Sequence, residues 1–316
     1  MKPLAKLLEF FYHKLFSALQ YQTFRNMGVF MSTTEKSNPA ETFRNRMREQ
    51  QELLKLRMKH VKHTIAVISG KGGVGKSTVT VNLAAAFALH GKQVGILDAD
   101  IHGPSVPRLL GLAGQQVKVG PPGAFPVTGP LGMKVVSIDF FLPAESTPTI
   151  WRGPLKMTAI RQFLSDVVWG ELDVLLIDLP PGTGDEPLSI AQLLPNIDGV
   201  IIVTMPSELS RVVVEKAITF ARRVGMPIVG IVENMSGYVC PTCGTKIDIF
   251  RSGGGKKMAG ETGVPFLGSI PIDPKVGVDS DKGSPFVIEH ADSSAAKAFV
   301  DIVKKVESYL KEKENK

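Results

Sequence analysis

Ser69-Gly70-Lys71-Gly72-Gly73-Val74-Gly75-Lys76-Ser77-Thr78 follows the apolar run Ile65-Ala66-Val67-Ile68 and precedes Val79-Thr80-Val81-Asn82-Leu83-Ala84-Ala85-Ala86-Phe87. That order reads as buried strand, glycine-rich loop and helix, the setting a phosphate-binding loop requires. Residues 70–77 satisfy G-x-x-x-x-G-K-[ST] in full. Gly70, Gly72, Gly73 and Gly75 allow backbone N–H groups to turn inward around phosphate oxygens, with Lys71, Val74 and Thr78 completing the stretch. Lys76 is expected to reach the β- and γ-phosphates, and the Ser77 hydroxyl to ligate Mg²⁺. The stretch predicts a nucleotide-binding protein.

The chain has 316 residues, enough for one large α/β domain or two small ones. Its net charge of +7 looks like a nucleic-acid signal until it is located. Residues 1–63 hold 12 Lys/Arg against 5 Asp/Glu, whereas residues 64–316 hold 25 of each. The globular part is neutral, so no nucleic-acid partner is expected of it. Cys240 and Cys243 are the whole cysteine content, which argues against a disulfide scaffold and for a reducing compartment. No apolar run approaches the roughly 18 residues that span a bilayer, so no stable membrane insertion is expected. Residues 1–31 read as an organelle presequence, a membrane-surface helix or a start placed too early, with Met27 or Met31 the alternative beginning.

Residues 1–37 are set apart as a basic extension, 38–62 as an N-terminal helix, and 63–316 as the nucleotide-binding domain. Asn38-Pro39-Ala40-Glu41 reads as N-cap, proline at the first helical position and capping glutamate. The helix it opens, to about residue 60, carries Met47, Leu54, Met58 and Val61 on one face and packs outside the domain. Strands are expected at 93–98, 134–138, 173–178, 199–204, 228–234 and 266–270, with helices between most of them. Residues 103–132, dense in glycine and proline, read as mostly irregular. A last helix from Ser293 presents Phe299, Ile302, Val303, Val306 and Leu310 as one stripe. Strands alternating with helices predict an α/β fold: a doubly wound, mainly parallel sheet with helices on both faces.

Ligands of such a sheet sit at the carboxyl ends of its strands, where three acids fall. Asp178 ends the run Val174-Leu175-Leu176-Ile177 and is expected to hold Mg²⁺ through water. Asp98 and Asp100 follow Leu97, and strand alternation puts both on one face toward the γ-phosphate. Asp100, further out, is the candidate to orient an attacking water; the bland alternative makes both acids helix caps. Gly182, after Pro180-Pro181, would let a backbone N–H approach the γ-phosphate and move when it is lost.

Cys240-Pro241-Thr242-Cys243-Gly244, within a metal loop at 236–246, offers two thiolates where a tetrahedral site needs four ligands. No histidine lies between His102 and His290 to complete it. A twofold dimer with two cysteines from each copy, bridging zinc or an iron–sulfur cluster, is the economical completion. A redox dithiol or an inert turn are the alternatives.

These residues jointly resemble the Mrp-type P-loop ATPases that carry iron–sulfur clusters. The carriers are the 70–78 stretch, Asp98-Ala99-Asp100-Ile101-His102-Gly103-Pro104-Ser105, Trp151-Arg152-Gly153-Pro154, Asp178-Leu179-Pro180-Pro181-Gly182-Thr183-Gly184-Asp185, and Val232-Glu233-Asn234-Met235-Ser236 leading to the cysteines. The resemblance implies a P-loop NTPase fold of the deviant Walker A class, in which Lys71 reaches across a dimer to the partner's phosphates. It implies that Asn234 reads the adenine of ATP. It implies that Cys240 and Cys243 bind a labile 4Fe–4S cluster at a homodimer interface, for transfer to apo iron–sulfur proteins. Slow ATP hydrolysis with Mg²⁺, using Lys71, Lys76 and Asp100, would accompany that transfer in the cytoplasm, or in the mitochondrial matrix if residues 1–31 are a presequence. A positioning or partition-type ATPase acting on membrane or DNA, and a zinc-stapled regulatory NTPase, are the competing readings.

Overall fold

The computed structural model describes residues 39–142, 153–182, 184–193, 197–240 and 242–315. The extension expected at 1–37, the capping Asn38, and Trp151, Arg152, Thr183 and Pro241 of the motifs lie outside the described residues. In chain order come α1 (Pro39–Met58), β1 (Val61–Ser69), α2 (Lys76–Leu89), β2 (Val94–Asp98), α3 (Val106–Leu109), β3 (Lys118–Gly120), β4 (Gly123–Phe125), β5 (Val127–Thr128) and β6 (Lys134–Val136). Then follow α4 (Gly153–Ser165), β7 (Leu172–Asp178), α5 (Asp185–Leu193), β8 (Gly199–Thr204), α6 (Glu208–Arg223) and β9 (Ile228–Glu233). The last part holds the hairpin β10 (Tyr238–Val239) and β11 (Lys246–Ile247), then α7 (Gly254–Thr262), β12 (Phe266–Ser269), α8 (Pro274–Lys282), α9 (Phe286–Glu289) and α10 (Ser294–Glu314).

Eight strands form one sheet in the order β12-β9-β8-β1-β7-β2-β6-β5, parallel except for the edge pair β5–β6. β1 lies at its centre, paired with β7 on one side and β8 on the other, and its core residues are fully buried. Strand alternation divides the core. Ile65 and Val67 point to one face, with Phe87 of α2 and Phe299, Ile302 and Val303 of α10. Ala66 and Ile68 point to the other, with Leu54 of α1, Ile160 and Phe163 of α4 and Val214 and Ile218 of α6. A sheet covered on both faces needs apolar residues at every position of its central strands, which is why β1, β7 and β8 read as continuous apolar runs.

The expected helix at the N-terminal end stops at Met58, and Val61 belongs to β1 rather than to the helix stripe. Residues 103–132 are less irregular than their glycine and proline content suggests. They form α3, the β3–β4 hairpin and the edge strand β5. Such short strands carry no measurable period; β5 exists because β6 offers an open edge, while β3 and β4 pair only with each other. The stripe predicted on α10 is buried at all five positions. Phe299 is 1% exposed against α2, so Phe299→Ala should cost about 3–5 kcal/mol by emptying that layer. Urea unfolding followed by circular dichroism checks this.

Candidate functional site

β1 ends at Ser69 and α2 begins at Lys76, so residues 70–75 make the whole turn. Gly73 and Gly75 take left-handed φ values of 77° and 79°, which glycine alone adopts without cost. Gly75 caps α2 and no side chain closes that end, which leaves first-turn N–H groups for a ligand. Two glycines also answer close approaches. A Cβ on Gly70 would lie 2.5 Å from the Val213 carbonyl oxygen of α6, and one on Gly75 would lie 2.3 Å from Asn234 Nδ2.

Lys76 Nζ sits 2.7 Å from Asp178 Oδ2, with the two side chains 6% and 0% exposed. Ser77 Oγ donates to the same oxygen at 2.6 Å, and Thr80 Oγ1 donates to Oδ1 at 2.7 Å. Two opposite charges, each shielded from water, are tolerable because every carboxylate oxygen has a donor. Thr80 escaped sequence reasoning, although it stands one helical turn beyond Lys76 and therefore on the same face. The Ser77 hydroxyl and the Asp178 carboxylate are hard oxygen donors beside an N–H-lined loop, a set that fits Mg²⁺ with a polyphosphate.

Asp98 ends β2 directly opposite Asp178 in the β2–β7 register. It is fully buried and accepts the N–H groups of Asp100 and Val106, each at 3.2 Å, and the Ser137 hydroxyl at 3.3 Å. Burial, then the neighbouring Asp178 charge, push its carboxyl well above the usual carboxylate range, and Lys76 opposes them. Asp98 therefore shapes the 99–106 loop. The strand alternation expected to align Asp98 with Asp100 does not occur. β2 stops at Asp98, Ala99 N–H donates to the Asp178 carbonyl at 2.9 Å, and Asp100 lies in the loop with Oδ1 accepting Gly103 N–H at 3.2 Å. An aspartate that captures the N–H two residues on turns the chain out of a strand.

Gly182 (φ 96°) donates its N–H to the Ser69 carbonyl at 2.8 Å, so the group expected at a phosphate is engaged with the end of β1. Lys71 is half-buried; its carbonyl accepts the Ser69 hydroxyl at 2.9 Å, and its ammonium has no partner among the described residues. Asn234, 8% exposed, donates Nδ2 to the Val74 carbonyl at 2.9 Å and so holds the P-loop from above.

Cys240 and Cys243 lie at the turn of the β10–β11 hairpin, outside the main sheet. Cys240 N–H donates to the Thr245 carbonyl at 3.0 Å and Gly244 N–H to the Cys240 carbonyl at 2.8 Å, which fixes the turn. Cys240 is half-buried and Cys243 exposed. Cys243 Sγ is 3.2 Å from Thr245 Oγ1, and that hydroxyl, then the Thr245 N–H and Cys240, lower its thiol to about 7. Among the described residues no third histidine, cysteine or carboxylate joins them in a metal-binding group. Ile247, Ile249 and Phe250 are exposed beside them.

A phosphate-binding loop on the central strand of a doubly wound sheet, with a buried aspartate at the end of the adjacent strand, defines a P-loop NTPase. The family described as ParA, NUBPL iron-transfer P-loop NTPase, matches residues 60–307, and the chain belongs to it. It is 56% identical over 253 residues to an iron–sulfur cluster carrier protein of Saccharolobus solfataricus, covering 80% of this chain and 86% of that one. A nucleotide-binding protein of Archaeoglobus fulgidus, solved in complex with ADP, is 47% identical with a TM-score of 0.67, covering 74% of this chain and 92% of that one. The MinD cell division protein of Aquifex aeolicus shares the fold at 21% identity and a TM-score of 0.58, covering 78% of this chain and 97% of that one.

Because folding raises the Asp98 pKa, its contribution to stability falls as the pH climbs from the unfolded value toward the folded one. Asp98→Asn should therefore gain melting temperature relative to wild type as the pH rises above the unfolded value of 3.8, as read by scanning calorimetry. Alkylation of Cys243 should follow a midpoint of about 7, and Thr245→Val should move that midpoint upward. Iodoacetamide rates across pH, resolved by peptide mass, check the second expectation.

Proposed function

We propose that the protein is an ATP-dependent carrier that holds a 4Fe–4S cluster between two copies of the chain and passes it to apo iron–sulfur proteins. The observation that carries this reading is the Cys240/Cys243 pair, one thiol half-buried and the other exposed, which has no third ligand among the described residues yet belongs to a chain with a P-loop. Two thiolates leave a cluster half held, and a second copy supplies the rest. The exposed Ile247, Ile249 and Phe250 give that copy apolar surface to cover. The names of the relatives point the same way.

The geometry supports the following nucleotide roles. Residues 70–78 cradle the phosphates, with Lys76 moving from Asp178 to the β- and γ-phosphates. Ser77 and Asp178 hold Mg²⁺, which supplies charge neutralisation at the phosphates. Lys71, unpaired among the described residues, is free to reach the partner's phosphates. Asp100 orients the attacking water, held in its loop by the buried Asp98. Gly182 exchanges its bond with Ser69 for a phosphate oxygen, and Asn234, seated above the loop, reads the adenine. ATP then acts as a switch that clamps two protomers around the cluster and loosens them on hydrolysis. The reducing cytoplasm suits exposed thiolates of this kind.

Anaerobic reconstitution with iron and sulfide tests the reading. A brown dimer with about two irons per chain, absent in Cys240→Ser, is the expected outcome for a shared four-iron cluster. A colourless protein that retains zinc would overturn it. Lys76→Ala should load the cluster yet fail to deliver it, and normal delivery to an apo-acceptor would remove the switch.

A further inference from the structure

Glu233 ends β9 as Asp178 ends β7, an acid closing an apolar run, yet it faces neither phosphate loop nor solvent. Its side chain is fully buried, and four donors converge on it. Oε1 accepts the Ser236 hydroxyl, Gly253 N–H at 3.0 Å and Ser269 Oγ at 3.3 Å, while Oε2 accepts Gly255 N–H. Ser236 and Gly253 are the two ends of the segment that contains the cysteine hairpin. One carboxylate oxygen thus ties off both strands of the loop that carries Cys240 and Cys243.

The next residue faces the other way. Asn234 donates to the Val74 carbonyl of the P-loop, and the absence of a Cβ on Gly75 makes room for it. Asn234 N–H is fixed to the Thr204 carbonyl at 2.8 Å and Ile270 N–H to the Glu233 carbonyl at 2.8 Å, so the dipeptide backbone is anchored in the sheet. Met235 then takes a φ of 57°, a conformation rare outside glycine, before the hairpin leaves the sheet. Gly255 approaches so closely that a Cβ there would lie 2.9 Å from Glu233 Cβ. The anchorage tolerates little slack.

We infer that Glu233 is a positioning residue that links nucleotide occupancy of the P-loop to the conformation of the cysteine hairpin, with Asn234 as its contact to the loop. The inference rests on the nucleotide-switch reading proposed above. Displacement of the Val74 carbonyl by a bound nucleotide moves Asn234. Glu233, the residue before it on the same backbone, transmits that movement to both ends of the hairpin. The carboxylate suits the task because it accepts at both oxygens; an amide replaces one acceptor with a donor and must release either the Gly255 end or the Gly253 and Ser236 end.

Hydrogen exchange on the full-length apo-protein, with and without Mg²⁺ and a non-hydrolysable ATP analogue, tests the link. In wild type the amides of 70–78 and of 236–255 should both slow by about tenfold on analogue binding. In Glu233→Gln the P-loop should slow as before, while the response of 236–255 falls below about twofold. Equal protection of the hairpin in Glu233→Gln overturns the inference and leaves the switch intact. A wild-type hairpin that ignores the analogue overturns the switch itself, before any variant is compared. Should Glu233→Gln fail to fold, Ser236→Ala, which removes only the hydroxyl's bond to Glu233 and leaves Ser236 N–H on the Ile270 carbonyl, decides the matter: a full wild-type response in it overturns the link, and a reduced one upholds it.

Discussion

A lysine and an aspartate, both shut away from water, face one another where the central strands end. Lys76 and Asp178 hold the start of α2 against the end of β7, and Ser77 and Thr80 complete the carboxylate's bonds. Removing one partner of such a pair costs about 3–5 kcal/mol, because the other is left as a buried, uncompensated charge. The same arithmetic governs ligand binding. A polyphosphate that draws Lys76 away leaves Asp178 in need of a cation, and the divalent ion that travels with a nucleoside triphosphate is one. Asp98, across the ladder, is the third ionisable group there; its burial first, and then the neighbouring Asp178 charge, raise its pKa, since one lysine serves two acids.

That cluster depends on register more than on loop design. β1 is flanked by β7 and β8, and β7 separates β1 from β2, so Val67, Asp178 and Asp98 lie side by side across three strands. Continuous burial of both faces fixes the register, since a one-residue slip would exchange the residues that face α2 and α10 for those that face α4 and α6. The loop itself is then shaped by its neighbours. Gly70 lets the α6 backbone come close at Val213, and Gly75 lets Asn234 reach Val74. A glycine-rich loop is usually read as accommodation for phosphate; here two of its glycines also accommodate protein.

Most of this was legible in the sequence because burial on both faces writes itself as apolar runs, and an acid closing such a run is conspicuous. Asp178 and Asp98 each close such a run, although Asp98 faces the loop that follows it rather than the phosphate side. Glu233 carries the same signal after Ile228-Val229-Gly230-Ile231-Val232 and was passed over, since nothing in the sequence shows which donors will meet it. Asp100 was misplaced for a related reason: period-2 alternation was extended past the point where Asp98 captures the Asp100 N–H and ends the strand. The strands at 118–128 were illegible because two or three residues set no period.

The cysteine hairpin shows what the sheet does not do. Were Cys240 and Cys243 embedded at a strand end like Asp178, a cargo they held would be enclosed by one chain and could leave only through unfolding. On a two-strand projection with an exposed thiol they can be met by another molecule, and two ligands bind more weakly than four. In the carrier reading proposed above, such a half-site gains affinity from a partner, and whatever governs the approach of that partner would govern retention of the cargo. The P-loop lies one residue from the anchor of the hairpin, through Asn234 and Glu233. In that reading, proximity of this kind would put control of the site where binding energy from a nucleotide is available to exert it.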